Sequence, residues 1–169
     1  MNLMGKPAVV TGGKTGIGLA ISQALAAAGA TIWIGGLLEE HGISAIAAIR
    51  ACGQRASFLR TDVRDAGQID RSIEAAVREG GALDVMVNNA GVFDGFASCL
   101  ETTEGLWDKV IDINLKGCFF GCLAALRHMV PRGSGRIINT SSVGGLRGAA
   151  DGLAYTASKF GVVGPGSTA

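Results

Sequence analysis

Glycine marks the joints of this chain. Most of its 27 glycines stand at the ends of short apolar runs, where an extended segment turns into a helix or a helix stops. Pro7 to Thr11 (PAVVT) runs into a glycine cluster, and Gly16 to Ala28 follows with a helical period that Gly29 ends. Ala30 to Ile34 (ATIWI) carries the β-branched and aromatic residues of a strand, and Glu39 to Cys52 reads as a helix closed by Gly53. The pair recurs as Ser57 to Arg60 with Ala66 to Arg78, as Asp84 to Asn88 with Thr103 to Val130, and as Arg136 to Thr140 with a helix from Leu153. Strands and helices that alternate through short connections pack as right-handed crossovers. The prediction is an α/β fold: a doubly wound parallel sheet of five strands between two helical layers.

Composition narrows the class of function. Hydrophobic residues make up 48% of the 169 residues and charged ones 17%, a balance that fills a core and argues against disorder. A net charge of +1 offers no basic field, so neither nucleic acid nor an anionic membrane surface is an expected partner. No apolar run reaches the roughly 18 residues of a membrane span, and the N-terminus does not read as a signal peptide. Cys52, Cys99, Cys118 and Cys122 form no CxxC pair. Cys118 and Cys122, one helical turn apart in GCFFGCLAAL, read as core residues, and a cytoplasmic location is expected. His41 and His128 have no companions at ligand spacing, so no metal is expected.

The first strand is followed by Thr11-Gly12-Gly13-Lys14-Thr15-Gly16-Ile17-Gly18 and then by a helix. Glycines there permit a tight turn, let the backbone approach a pyrophosphate, and bring helix N–H groups towards it. The spacing is GxxxGxG rather than GxGxxG, and by itself it fits a plain structural turn equally well.

Together with motifs further along the chain, TGGKTGIG resembles the TGxxxGIG cofactor loop of short-chain dehydrogenase/reductases. Asp62-Val63 follows the third strand, Asn88-Asn89-Ala90-Gly91 ends the fourth, Asn114 lies in IDINLKG, Ser142 follows the fifth strand, and Tyr155 with Lys159 matches YxxxK. The resemblance implies an NAD(P)-binding Rossmann domain over residues 1–164. It assigns Gly12, Lys14, Thr15, Gly16, Ile17, Gly18, Asp62, Val63, Asn89, Ala90, Gly91, Tyr155 and Lys159 to the cofactor. It assigns Asn114, Ser142, Tyr155 and Lys159 to catalysis of hydride transfer between NAD(P)(H) and a carbonyl or secondary alcohol substrate. A homo-oligomer through the Asn114 and Tyr155 helices is the implied assembly.

Residue chemistry supports the tyrosine–lysine pair. Tyr155 and Lys159 share one helical face. A free phenol titrates near pH 10 (roughly), and a neighbouring ammonium favours its phenolate, which brings proton transfer within reach. Ser141 is chemically a near-equal alternative to Ser142, and the family spacing selects Ser142. Arg147 and Asp151 read as solvated loop charges. The second strand is followed by Gly36 where an NAD-selecting acid would stand, so Lys14 tips the balance to NADP.

The resemblance also implies a strand order 3-2-1-4-5-6-7. The sequence ends at Ala169, so a C-terminally truncated member is expected, with the fifth strand left as an edge and 165–169 as a frayed tail. Two readings result: an oxidoreductase, or a dinucleotide-binding fragment without turnover.

Overall fold

The computed structural model describes residues 3–148 and 151–164; the expected tail at 165–169 lies outside them. Five parallel strands, β1 (Pro7–Thr11), β2 (Thr31–Gly36), β3 (Ala56–Arg60), β4 (Val85–Asn88) and β5 (Arg136–Asn139), lie in the order β3-β2-β1-β4-β5. Helices α1 (Gly16–Ala27), α2 (Glu39–Ala51), α3 (Ala66–Gly80), α4 (Glu104–Ile111), α5 (Gly117–Met129) and α6 (Leu153–Val163) alternate with them. The order reverses direction between β1 and β4, the switch point at which such sheets open a crevice.

The alternation of strand side chains builds two cores. Ala8, Val10, Ile32, Ile34, Val85 and Val87 pack on one face with Ala26 of α1 and Ala45 and Ile49 of α2. Val9, Trp33 and Met86 face the other way, against Ile69 and Ile73 of α3 and Ala124, Ala125 and Met129 of α5. The central strands β1 and β4 are buried along their whole length, as the apolar runs require. The edge strand β5 alternates instead, with Ile138 47% exposed. Cys118 is buried, and the Cys122 sulfur lies against the amides of Asn88 and Asn139.

Two differences from the sequence reading matter for the site. β2 continues past Ile34 to Gly36, because Gly35 and Gly36 pair with Leu59 and Arg60 of β3. The helical region read as Thr103 to Val130 is interrupted by a π-helical turn, Asp112–Lys116, closed by Gly117 N–H on the Asp112 carbonyl. A single wide turn inserts one residue and leaves the apolar pattern almost unchanged, so periodicity does not reveal it. Among the described residues, no helix is long and apolar enough to cross a membrane.

Candidate active site

The loop after β1 is shaped by what glycine permits. Gly12 and Gly16 take φ of +65° and +52°, in the left-handed region. Gly18, inside α1, has no room for a Cβ, which would meet the Gly12 carbonyl and the Asn89 amide. Asp65 caps α3 and Thr103 caps α4, whereas Thr15 gives α1 no side-chain cap and no acid stands in its first turn. The N–H groups of that turn have no acceptor within the helix and carry its positive end.

Thr11 joins this loop to the next. Its hydroxyl accepts the Asn89 and Ala90 N–H groups at 3.1 and 3.2 Å and donates to the Val87 carbonyl at 3.3 Å. The Asn89 side-chain amide donates back to the Thr11 carbonyl at 3.1 Å. Sequence reasoning passed over Thr11, although a buried hydroxyl at a strand end is the kind of group that must find partners.

Asn114 lies in the π-helical turn and is 2% exposed. Its side chain accepts the Val92 N–H at 2.8 Å and donates to the Val92 carbonyl at 2.9 Å and to the Ser158 hydroxyl at 3.1 Å. The amide therefore locks the loop after β4 to α6. Lys159, 4% exposed, donates from Nζ to the Thr140 carbonyl at 2.8 Å and stands 5.4 Å from the centre of the Tyr155 ring. Burial pushes its ammonium below the ordinary lysine range.

Ser142 accepts the Gly144 N–H at 3.2 Å and donates to an Asp151 carboxylate oxygen at 3.4 Å. Asp151 is thus a partner of Ser142 rather than a solvated charge, while Arg147 is exposed as expected. Ser141 donates to the Lys159 carbonyl at 3.1 Å, which ties it to α6.

These parts surround one cleft of about 880 Å³. Gly12, Lys14, Thr15, Ile17, Gly18, Asp62, Val63, Asn89, Ala90, Gly91, Ser142, Tyr155 and Lys159 line it; Gly16, which is exposed, and Asn114, packed against Gly91, are outside the lining. Asp62 is bound through both oxygens by the Arg64 guanidinium, which holds its carboxyl below the usual range. The Lys14 stem crosses the end of β2, within 3.1 Å of where a Gly36 Cβ would sit. Bulk at Gly36 would displace it.

Comparison with known proteins converges on one family. The chain is 36% identical to 3beta-hydroxysteroid dehydrogenase 2 of Eggerthella lenta over 163 residues, 96% of this chain and 63% of that protein. It is 42% identical to cis-4-hydroxycyclohexanecarboxylate dehydrogenase of Sinomonas cyclohexanicum over 156 residues, covering 92% of this chain and 62% of the relative. A crystal structure of an actinorhodin polyketide ketoreductase variant with NADPH matches at a TM-score of 0.89 and 37% identity, over 94% of this chain and 61% of that one. The chain thus spans less than two thirds of the length of these relatives. Residues 6–167 match the family described as short chain dehydrogenase. With the glycine loop, the Asn89 wall and the Tyr155–Lys159 pair around one cleft, the chain belongs to the short chain dehydrogenase family.

Proposed function

We propose that this chain carries the dinucleotide-binding and acid–base residues of an NAD(P)-dependent oxidoreductase acting on a carbonyl or secondary alcohol. The observation that carries the reading is the meeting of Tyr155 and Lys159 with the glycine loop in one cleft. Its volume falls towards the upper end of the roughly 300–1,000 Å³ of small-molecule sites.

The residues fit a dinucleotide. Gly12 and Gly18 leave the backbone bare, and the uncapped start of α1 offers N–H groups to a pyrophosphate. Asp62 and Val63 would hold the adenine end, and Asn89 to Gly91 with Lys159 would hold the nicotinamide ribose. Lys14, lying across Gly36 at the end of β2, would pair with a 2′-phosphate and select NADP. Bound nicotinamide supplies or accepts the hydride.

The chain's own residues move the proton. Tyr155 gives it from its hydroxyl to a carbonyl oxygen in reduction and takes it from an alcohol in oxidation. The Lys159 ammonium, anchored on the Thr140 carbonyl, holds a positive charge beside the Tyr155 ring. Ser142, turning its one hydroxyl proton away from Asp151, would hydrogen-bond the substrate oxygen. Asn114 keeps Val92 and Ser158 in register, so its side chain acts by positioning.

Two names among the relatives point to ring alcohols, and alicyclic ketones and alcohols are the substrates to try first. The exposed thiols Cys52 and Cys99 suit a reducing cytoplasm. Phe119 of α5 and Phe160 of α6 are exposed apolar groups that would meet in a homo-oligomer.

The test is NADPH binding by fluorescence, followed by turnover with a panel of alicyclic ketones and quinones. Tyr155→Phe is expected to lower kcat at least about 100-fold with NADPH affinity nearly unchanged. Lys14→Ala is expected to weaken NADPH about 10-fold and leave NADH unchanged, the loss of one charge-assisted contact. Binding without turnover would favour the fragment reading.

A further inference from the structure

Asp94 is a buried carboxylate with no part in the proton and hydride transfers. It sits on the loop that follows β4 and is 6% exposed, a place where a charge needs hydrogen bonds to persist. Both oxygens are engaged with backbone, and on different segments. Oδ2 accepts the N–H of Tyr155 at 2.9 Å, and Oδ1 accepts the N–H of Phe96 at 3.2 Å.

The first of these bonds gives α6 something it lacks. The N-cap of α6 is Gly152, which has no side chain to satisfy the orphan N–H groups of the first turn. Asp94 supplies the missing acceptor from another loop, at the tyrosine itself. A Cβ on Gly152 would run into the Asp94 carboxylate, so the bare N-cap and the buried acid are complementary. Leu153 N–H binds the Ala97 carbonyl at 2.9 Å, a second tie between the same turn and the same loop.

The other oxygen shapes the loop. Phe96 has φ of +64°, the only positive φ at a non-glycine position among the described residues. That backbone is unfavourable by itself and needs an imposed partner. It brings the Phe96 ring 4.7 Å from that of Phe93, which packs edge-on to the Tyr155 ring at 5.1 Å.

Building on the oxidoreductase reading, we propose that Asp94 is a positioning residue for the general acid. It fixes the start of α6, and with it the reach of the Tyr155 hydroxyl, from the loop that carries the nucleotide wall Asn89 to Gly91. Asp94 stands outside the cleft lining, so it acts through Tyr155 and not on substrate.

The test compares the full chain with Asp94→Ala, Asp94→Asn and the double variant Asp94→Ala/Gly152→Asp. NADPH is the nucleotide and the probe is the ketone that the unaltered chain turns over fastest among cyclohexanone, 1-tetralone and menadione. In the double variant the new carboxylate occupies the vacated space and caps α6 from its own N-cap, at a φ of −68° open to any residue. Asp94→Ala should lower kcat per NADPH site about 100-fold, the cost of a small misplacement, while KM for NADPH stays within about twofold. Asp94→Asn, which keeps one acceptor oxygen, should lose less. The double variant should recover at least about tenfold of the lost rate. If Asp94→Ala does not fold, Asp94→Asn and the double variant carry the same comparison. An unchanged kcat, a kcat that falls only in step with NADPH binding, or a stable double variant without rate recovery overturns the proposal. A chain that binds neither NADPH nor NADH, or binds one and turns over none of the probes, overturns the oxidoreductase reading itself. That result is separable from an unaltered chain and an Asp94→Ala variant that are equally active.

Discussion

The two walls of the cleft are held by different chemistry. On the β1 side, position is fixed by main chain and by missing side chains: Gly12 and Gly16 turn the loop, and Gly18 lets α1 close on the Gly12 carbonyl. On the Tyr155 side, position is fixed by side chains reaching across to backbone. Asn114 grips Val92, Lys159 grips Thr140, Ser141 grips the Lys159 carbonyl and Asp94 grips Tyr155. The first wall suits a nucleotide, whose shape does not change with the substrate, and can be rigid. The second suits reacting atoms, and each hook there is a separate point at which geometry can be tuned.

If the contrast is right, the largest effect comes from adding bulk to the first wall. Gly18→Val places methyl groups where the Gly12 carbonyl and Asn89 amide already stand, and backbone cannot give way as a flexible side chain can. NADPH affinity should fall at least about 100-fold, or about 2.7 kcal/mol, in a fluorescence titration of the folded protein. Affinity within a few-fold of the original would break the contrast, because the loop would then tolerate what its packing forbids.

Thr11 and the Asn89 amide that answers it are exceptions that sharpen it, side-chain hooks in the main-chain wall. Thr11→Val keeps the shape but leaves the Asn89 and Ala90 N–H groups without their acceptor. A fully buried donor left unmade costs about 1–3 kcal/mol; these two N–H groups are only part-buried, so urea unfolding should show a loss of about 1–2 kcal/mol. A loss under about 0.5 kcal/mol would mean the two N–H groups find other partners.

The same contrast explains what the sequence reveals. Glycine spacing, apolar alternation and caps are local, and from them the five strands, their order by family resemblance and the β1 loop were legible. Residues of the second wall were legible only where a motif names them, as with Tyr155 and Lys159. Asp94 and Asp151 were not, because what makes them matter is a partner 61 or 9 residues away, reached only once the chain has folded. Asp151 looks like any loop carboxylate until Ser142 is beside it. The π-helical turn that seats Asn114 was hidden for a different reason: it changes backbone hydrogen bonding without changing the apolar pattern.

The smallest effect expected is also the most direct probe of the second wall's cost. Burial of Lys159 lowers its pKa in the folded chain, while in the unfolded chain it titrates near its free value of about 10.4. Well below the folded value, both states hold the proton and the folded state bears the full cost of burying the charge. As pH rises through the interval between the two values, the folded chain releases its proton first and unfolding must take one up. Stability therefore rises with pH across that interval. Lys159→Met keeps the buried stem and removes the titration. Measured in a Tyr155→Phe background, which takes the neighbouring phenol out of the comparison, the difference in Tm between the lysine-bearing chain and Lys159→Met should move in favour of the lysine-bearing chain as pH approaches about 10.4. A difference that stays flat, or moves the other way, would show that the bond to Thr140 compensates the ammonium fully. The lysine would then be held at no electrostatic cost, and its place beside Tyr155 would need no functional explanation.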